Sequence, residues 1–375
     1  MRLIRSVIPI VVVAAVLAGC AEESGGGTDS GTAGAGGAAP KKAEGVSVDL
    51  LEDAEVTVDT STYKKEGPYT FAAVTQGPIN GWGLTWDVTT EYEGKNNPDV
   101  KEMILLPANG DPNKQISSMQ NLITQKPDAI LLDPLGRAAL AASVSRAMAA
   151  DIPVIVCGNG VEGKKYVTYV DVDLYAVGYA AAKDLAERLD GKGNVVLFHG
   201  IPGVDAAETW KKAAEDALKE YPDIKIVGSE YANWSVATGK EKAAALLAAN
   251  PQIDGVWSGG SEMATGAMLA FADAKRPQPV YGVDNPTNGF LRLTKQYNVK
   301  FNAYPDPPAT IAKACLEAGV QVLKGEPVKK FEQLPAEGYD ETQVDDHYVP
   351  EMSDDFVPPA ASPMEAYVAA GMQRK

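Results

Sequence analysis

Short apolar runs alternate with helical stretches along most of this chain, and this alternation limits the folds that it can adopt. Apolar runs without polar alternation predict strands that are buried on both faces of a sheet. In the first half of the body, the predicted strands cover 69–75, 100–106, 128–133 and 153–157, and the predicted helices cover 83–93, 112–125 and 137–150. Repeats of strand, helix and strand favour a parallel sheet with right-handed crossovers.

The same alternation begins again after residue 167, which indicates a second α/β unit. Its predicted strands cover 167–172, 194–199, 224–227, 254–258, 279–284 and 299–304, and its predicted helices cover 174–189, 205–220, 235–249, 262–274, 286–296 and 308–324. We therefore predict an α/β fold with two doubly wound parallel-sheet lobes. After residue 325 the chain is richer in Pro and Asp, so we expect crossing strands there and a C-terminal extension over 351–375.

The N-terminus has the pattern of an export signal. Arg2 and Arg5 precede an apolar stretch of twelve residues that ends at Ala18. A bilayer span takes about 20 residues, so this stretch fits a signal peptide better than a membrane helix. The segment LAGC that ends at Cys20 resembles the lipobox of bacterial lipoproteins, in which the cysteine is acylated and becomes the mature N-terminus. We expect residues 1–19 to be removed.

A low-complexity segment follows the export signal. Residues 21–45 contain eight glycines and no aromatic residue. Such a composition cannot bury enough apolar surface to order itself, so we expect the lipidated cysteine and a flexible tether to occupy 20–66. The lipid would hold the folded body at the outer face of the cell membrane. The alternative is an ordinary secretory signal with an incidental cysteine.

The charge balance and the few soft side chains argue against several kinds of site. There are 34 Lys and Arg against 50 Asp and Glu, so the formal net charge is −16 and nucleic acid is not an expected partner. His199 and His347 are the two histidines, and with three cysteines they are too few for an expected zinc site. A G-x-G-x-x-G match at 158–163 precedes a strand pattern rather than a helix, so no dinucleotide cofactor is expected. Export would permit a disulfide between Cys157 and Cys315, although spacing does not show whether they meet.

Several short motifs are informative in combination. They are NGW at 80–82, GDPNKQ at 110–115, DAILLDP at 128–134, IPVI at 152–155, PGVDAA at 202–207, ANPQIDGV at 249–256, EMA at 262–264 and GVD at 282–284. This combination resembles the ribose-binding-like family of type I periplasmic binding proteins, which feed ABC importers, over residues 69–330. The resemblance implies a small-molecule solute as ligand and an ABC permease in the membrane as partner.

The fold that the resemblance implies has two lobes, joined by three chain crossings, with the ligand in the cleft between them. The crossings would lie near 168–171, 303–306 and 328–331. Lobe 1 would comprise 67–168 and 305–328, and lobe 2 would comprise 169–304 and 329–350. Binding at the carboxyl ends of parallel strands is also expected on physical grounds.

The resemblance also implies which residues would hold the solute. Trp82 and Trp234 match positions where the family places aromatic rings against a sugar, and such rings bury an apolar C–H face. Two further aromatic candidates are Trp86, one turn beyond the first, and Trp210, near a family arginine. The polar candidates are Asn80, Asp133, Asn159, Asp284 and Tyr304, with Asp306 close to the last of them. Each has a structural alternative, since tryptophans also fill cores and Asp or Asn also shape turns and cap helices.

Three departures from the family pattern bear on the ligand. Many family members have Asp-Arg where this chain has Gly158-Asn159, and Arg where it has Glu208-Thr209-Trp210. They also have Asn-Asp where this chain has Gly260-Ser261. Arginine makes strong charge-assisted bonds to hydroxyl groups, so its loss suggests a site less committed to hydroxyls. A sugar, a polyol or an amphipathic solute are all retained as ligands.

Our functional hypothesis is an extracytoplasmic solute-binding lipoprotein of an ABC importer that closes on its solute without altering it. One alternative is a sensory lipoprotein of the same fold. Another is a secreted enzyme, whose acid–base chemistry would depend on His199 or His347. No Ser-His-Asp arrangement, nucleophile elbow or metal motif is evident in the sequence, so we expect no catalytic residue.

Overall fold

The computed structural model describes residues 48–374. The strands are β1 (Thr57–Val58), β2 (Tyr69–Thr75), β3 (Val100–Pro107), β4 (Ala129–Leu132), β5 (Val154–Cys157), β6 (Thr168–Asp171), β7 (Lys192–His199), β8 (Asp223–Tyr231), β9 (Gly255–Ser258), β10 (Val280–Val283), β11 (Phe301–Ala303), β12 (Val328–Lys329), β13 (Phe331–Gln333) and β14 (Tyr339–Asp340). The helices are α1 (Val48–Glu55), α2 (Gly81–Asn96), α3 (Pro112–Gln125), α4 (Arg137–Ala149), α5 (Leu174–Arg188), α6 (Asp205–Leu218), α7 (Val236–Ala249), α8 (Ser261–Asp273), α9 (Asn288–Tyr297), α10 (Pro308–Lys324), α11 (Val344–His347) and α12 (Met364–Ala369). Among these helices, none combines the length and the apolar character that a bilayer crossing requires. The predicted signal peptide, Cys20 and the tether up to residue 47 lie outside the described residues.

Lobe 1 is built on a six-stranded sheet in the order β13-β6-β5-β4-β2-β3, and all of its strand pairs are parallel. Alternate residues of β2 pack on opposite faces: Phe71 contributes to a core cluster with Trp86 of α2 and Ile311 of α10. Val74 contributes to a second cluster with α3 and α4. The sheet is therefore covered on both faces, as the unbroken apolar runs predict.

Lobe 2 is built on a second six-stranded sheet, in the order β14-β11-β10-β9-β7-β8. Its strand pairs are parallel except for β14, which runs antiparallel to β11 at the edge. Helices α5 and α6 pack together, as do α7 and α8, and one large core cluster joins them to the sheet. The two lobes confirm the predicted fold class.

Polar residues at strand ends start several of the helices. Asn80 caps α2, where its side-chain oxygen accepts from Gly83 N at 2.8 Å. Asp111 caps α3, which begins with Pro112, and Ser235 caps α7 in the same way. Each cap satisfies an amide that the first helical turn leaves unpaired. These caps fix where each helix begins, and hence which residues face the space beyond the strand ends.

The chain crosses between the lobes three times, and two of the predicted boundaries need correction. Strand β6 belongs to the lobe 1 sheet, so the first crossing follows residue 171 rather than residue 168. Strand β13 also pairs in lobe 1, beside β6, so the third crossing lies in 334–338, beyond the predicted 328–331. Both errors have the same cause, because the pairing of a short strand next to a crossing depends on residues that are distant in sequence.

Part of the predicted tether is folded. Residues 48–55 form α1, and β1 pairs antiparallel with β12 through Thr57↔Lys329 and Val58↔Val328. Asp53 Oδ1 forms an ion pair with Lys164 Nζ at 2.9 Å. The prediction of a tether over 20–66 is therefore wrong for residues 48–66, which pack against lobe 1.

The C-terminal extension is folded against both lobes. Met352, Phe356 and Tyr367 form an apolar cluster that packs on Leu84 of α2 in lobe 1. On the lobe 2 side, the Asn288 side chain donates to the carbonyls of residues 349 and 352, each at 2.8 Å. The extension thus bridges the two lobes at one end of the cleft.

A disulfide joins β5 to α10 within lobe 1. Cys157 and Cys315 lie with their Cα atoms 6.2 Å apart, which is ordinary spacing for this bond. The bond links α10, which follows the second crossing, to β5, which precedes the first crossing. The structure thus contains the Cys157–Cys315 disulfide, which the sequence alone leaves open.

Candidate functional site

A cavity lies between the lobes, at the carboxyl ends of the parallel strands. It has an empty volume of about 390 Å³. Its lining residues come from both lobes and from the C-terminal extension; they are Gln76, Asn80, Trp82, Asn159, Ala206, Trp210, Trp234, Glu262, Asp284, Asn285, Asp306 and Val357. Doubly wound sheets bind ligands at this end, where successive loops converge.

Three indole rings form the apolar walls of the cavity. Trp82 donates its Nε1–H to Asp306 O at 3.0 Å, and Trp234 donates its own to Gly259 O at 2.7 Å. Both rings are held in place by backbone carbonyls, which occupy their N–H groups. Trp210, by contrast, has a buried Nε1 with no hydrogen-bond partner among the described residues. These walls suit a flat or puckered ring with an apolar face.

Glycines make room for two of these rings. Gly158 has a φ of +66°, and a Cβ placed on it would lie 2.7 Å from the Trp82 ring. Trp234 lies against Gly200 and Gly260, where added Cβ atoms would come within 2.2 and 2.4 Å of the ring. Any larger residue at these positions would displace an indole. The departures at 158 and 260 from the family pattern are therefore linked to the large aromatic walls.

The buried carboxyl group of Asp133 positions two residues that line the lobe 1 side of the cavity. Asp133 accepts from Gln76 N at 3.3 Å and from the Asn159 side-chain amide at 3.0 Å. Burial raises the pKa of Asp133 to about 7, although these donors oppose the shift. Asn159 in turn accepts from Ala206 N at 3.3 Å, which is a hydrogen bond between the lobes. Asp133 thus acts through Asn159 and Gln76 and does not itself line the cavity.

Three carboxyl groups line the lobe 2 side and the second crossing. Burial raises the pKa of Glu262 to about 7, even though the residue lies in the first turn of α8. Burial and the neighbouring Glu262 raise the pKa of Asp284 well above its ordinary value. Burial and Asp284 do the same for Asp306, which accepts a hydrogen bond from the Asn285 side chain. Asp284 Oδ1 has no partner among the described residues.

An ion pair across the cleft mouth holds the lobes together. Arg137, the first residue of α4 in lobe 1, donates to Asp205 Oδ1 at 2.6 Å, and Asp205 begins α6 in lobe 2. The other carboxylate oxygen accepts from Gly160 N at 2.8 Å. Asp205 is nearly buried, with its side chain 8% exposed. With the Asn159–Ala206 bond, this contact shows that the lobes are closed on each other.

The architecture matches a known family. The sequence pattern of the periplasmic binding protein domain fits residues 76–327. The chain belongs to this family. It is 31% identical over 245 residues to a xylitol-binding protein of Mycolicibacterium smegmatis, covering 63% of this chain and 70% of the relative. It is 27% identical over 235 residues to the ribose import binding protein of Bacillus subtilis, covering 62% of this chain and 75% of that protein.

A solved structure gives the same result. A periplasmic solute binding protein of an ABC transporter from Actinobacillus succinogenes, crystallised with D-allose, superposes with a TM-score of 0.67 at 27% identity. The match covers 74% of this chain and 99% of that chain. The resemblance read from the motifs is thus confirmed. This periplasmic binding protein shares its family with binding proteins for import rather than with enzymes.

The structure brings most of the predicted site residues of this periplasmic binding protein into one cavity. Those that line it are Asn80, Trp82, Asn159, Trp210, Trp234 and Asp284. Asn80 also caps α2, so both of its expected roles are compatible. Direct ligand contact by these residues remains a prediction.

Three predicted residues lie elsewhere. Trp86 is fully buried in the lobe 1 core, on the α2 face that points to the sheet rather than to the cleft. Asp133 lies beneath the cavity, as described above. Tyr304 packs against Gly338 at the third crossing, while Asp306, two residues further on, lines the cavity. The error at Tyr304 arises because the second crossing has no regular period from which to read the direction of a side chain.

Several lining residues were missed by sequence reasoning. Glu262 lies in one of the motifs, but an acidic residue there is equally typical of the start of a helix. Asn285 follows Asp284 and has no motif of its own that would single it out. Gln76 follows β2 directly, so the rule that strand ends meet the ligand would have found it. Val357 comes from the C-terminal extension, and nothing local in the sequence indicates that this segment returns to the cleft.

The two histidines do not line this cavity. His199 is buried at the end of β7, with Nε2 2.8 Å from Ser229 Oγ, and burial lowers its pKa to about 4. His347 stacks on Tyr339, with ring centroids 3.8 Å apart. The loop at 158–163 leads into β6 rather than into a helix, so the dinucleotide match carries no fingerprint geometry. Within 48–374, no group of three or more His, Cys, Asp or Glu side chains is arranged to hold a metal ion.

Proposed function

We propose that this periplasmic binding protein is the solute-binding component of an ABC importer and that its cavity holds a sugar, a polyol or a related small solute. The observation that carries the proposal is the cavity itself, which is lined by indole faces and unpartnered polar atoms from both lobes. The named ligands of the relatives, xylitol and ribose, belong to the same chemical class. The solute would be released unchanged.

Closure of the lobes would couple binding to transport. A solute that touches Trp82 in lobe 1 and Asp284 in lobe 2 has higher affinity for the closed arrangement than for an open one. It therefore shifts the population towards the closed form, which is also held by Arg137–Asp205 and Asn159–Ala206. A permease that recognises the closed form would then receive only loaded protein.

Lipid anchoring of Cys20 is the second part of the proposal. The lipobox-like LAGC segment and the glycine-rich tether support it. Growth with a clickable fatty acid should label the wild-type protein in the membrane fraction. The Cys20→Ala variant should be unlabelled, and labelling of that variant would contradict anchoring at this residue.

The binding function is tested by titration of the mature chain from residue 20 with Cys20→Ser. A panel of pentoses, hexoses, polyols, nucleosides and amino acids is added while tryptophan fluorescence and melting temperature are followed. We expect at least one sugar or polyol to raise the melting temperature and to change the fluorescence, because three indoles line the cavity. No response to any member, or recovery of a chemically converted solute, would contradict the proposal.

A further inference from the structure

The cavity is acidic and has no matching cation of its own. Glu262, Asp284 and Asp306 are 8%, 7% and 2% exposed. Among the lining residues, all within the described chain, there is no Lys, Arg or His. Burying carboxyl groups close together is costly unless a positive charge compensates them. The closed cavity therefore has unbalanced negative charge or carboxyl groups that are kept protonated.

Several side chains that line the cavity carry buried polar atoms without a partner among the described residues, and these atoms are an independent observation that also favours a cationic solute. Three of them are hydrogen-bond acceptors, namely Gln76 Oε1, Asp284 Oδ1 and Asn285 Oδ1. These three residues are 4%, 7% and 4% exposed. The Asn285 amide nitrogen donates to Asp306, which leaves its oxygen as the free atom. Trp210 Nε1 is a buried donor without a partner among the described residues.

The balance of donors and acceptors discriminates between solutes. A hydroxyl group both donates and accepts, so a site for a neutral sugar needs protein donors as well as acceptors. A primary ammonium group donates three hydrogen bonds and accepts none, which matches the free acceptor atoms of Gln76, Asp284 and Asn285. Indole faces also attract cations, and both Trp82 and Trp234 are fixed with their N–H groups occupied elsewhere.

Resting on the proposed function, the geometry points to an amino sugar or amino polyol as the preferred solute, with its ammonium group against Asp284. The carbon skeleton lies between the indole walls, and Trp210 Nε1 donates to one of its hydroxyl groups. This inference goes beyond solute binding because it names the charge of the ligand.

The decisive experiment compares matched pairs by isothermal titration calorimetry at pH 7.5, using the full mature chain with Cys20→Ser. The pairs are D-glucosamine with D-glucose, D-galactosamine with D-galactose, and 1-amino-1-deoxyxylitol with xylitol. We expect the amino member of at least one pair to bind tenfold or more tightly than its neutral partner. N-acetylation keeps the skeleton and removes the charge, so it should abolish the preference.

A charge-removing variant assigns the effect to the site. Asp284→Asn keeps the shape of the side chain and should reduce the amino-to-neutral affinity ratio to near one. The matched control is Asp216→Asn in lobe 2, whose carboxylate lies on the surface beside Lys212 and Lys219, and it should leave the ratio unchanged. Should Asp284→Asn fail to melt cooperatively, Glu262→Gln tests the same charge cluster.

Proton release gives a second readout. An ammonium group lowers the pKa of carboxyl groups that burial has raised, so amino solutes should release protons when they are titrated at a pH below the pKa of their own amine, and the release is seen as heats that depend on the buffer. The carboxyl groups concerned are Glu262, Asp284 and Asp306, faced by Asp171 of β6, Asp355 of the extension and Tyr339 of β14. Neutral solutes should bind without this release.

The outcomes separate the two proposals. Equal or tighter binding of the neutral partner in every pair that binds overturns the inference of a charged solute and leaves the proposed function standing. Absence of binding by both members of every pair, in the presence of a folded protein, overturns the inference, while the proposed function is contradicted only when the whole solute panel also fails to bind.

Discussion

At the scale of single residues, glycines in the cleft leave the space that the tryptophan rings occupy. Gly158 accepts a left-handed backbone and leaves room for the Trp82 ring. Gly200 and Gly260 leave room for the Trp234 ring in the same way. The sequence alone marks Gly158 and Gly260, but not Gly200, as departures from a family pattern. The reason for glycine at these positions is evident only from the structure, because each glycine is distant in the chain from the tryptophan that it contacts.

Gly158→Ala tests this matching. The added Cβ would lie 2.7 Å from the Trp82 ring at a φ of +66°. We expect a loss of about 1–2 kcal/mol in the free energy of unfolding from the backbone strain, together with an affinity loss of tenfold or more from the displaced ring.

Gly163→Ala is the control for the strain alone. Its φ is +81°, and nothing lies within 4 Å of an added Cβ. It should lose stability in denaturant titrations and keep its solute affinity in calorimetry. If the two variants have the same affinity, the account of the Trp82 wall is wrong.

His199 gives a pH dependence of stability. Burial lowers its pKa to about 4 from 6.5, so the folded protein favours the neutral ring. The resulting stability is present above pH 6.5 and is lost as the pH falls towards 4, by about 3 kcal/mol in all. Denaturant unfolding of wild type and His199→Gln between pH 7 and 4 isolates this contribution, because the carboxyl contributions cancel in the difference. Parallel curves would contradict it.

At the scale of helices and strands, local pattern was sufficient for the body of each lobe. Apolar runs such as AILL in β4 and VIVC in β5 are buried throughout, and the predicted helices begin within two residues of their predicted starts. The ends of the lobes were not predictable in the same way. Whether β6 or β13 pairs in lobe 1 depends on neighbours that are distant in sequence, and the short run before β12 has no helical or strand period long enough to read.

The Arg137–Asp205 contact belongs to this scale, because it joins the first residues of α4 and α6. Arg137 is half exposed, so solvent screens the ion pair and its contribution is modest, up to about 1 kcal/mol. Arg137→Gln should therefore weaken solute binding about threefold to fivefold by making the closed form less favourable, without touching the cavity.

Arg146→Gln, on the same helix, is the matched control. Arg146 bonds Ser143 within α4 rather than the other lobe, so its loss should leave affinity unchanged. Calorimetric titration of both variants with the tightest panel member makes the comparison. Equal affinities would show that the ion pair does not favour closure.

At the scale of the whole molecule, the C-terminal extension completes the cleft. Its cluster of Met352, Phe356, Tyr367 and Met372 is buried, and Val357 reaches the cavity. Composition predicted an extension and said nothing of its position, since every contact that fixes it is long-range. The amino-acid sequence thus predicts two lobes and six of the lining residues, while the bridge between the lobes is a property of the folded chain.

Phe356→Ala tests whether the extension supports the site. The side chain is fully buried, so its removal should cost about 3–5 kcal/mol within the cluster. We expect a lower melting temperature and weaker solute binding. Val368→Ala, in α12 of the same extension and 38% exposed, should change stability by about 0.5 kcal/mol or less. Unchanged affinity in a destabilised Phe356→Ala protein would separate the extension from the site.

Closure on a solute that bridges the lobes is the central claim, and small-angle X-ray scattering measures it most directly. The mature chain with Cys20→Ser is measured alone and then saturated with the panel member that binds most tightly. The account predicts a smaller radius of gyration with solute, because bound solute selects the closed form. An unchanged scattering curve at proven saturation would contradict it.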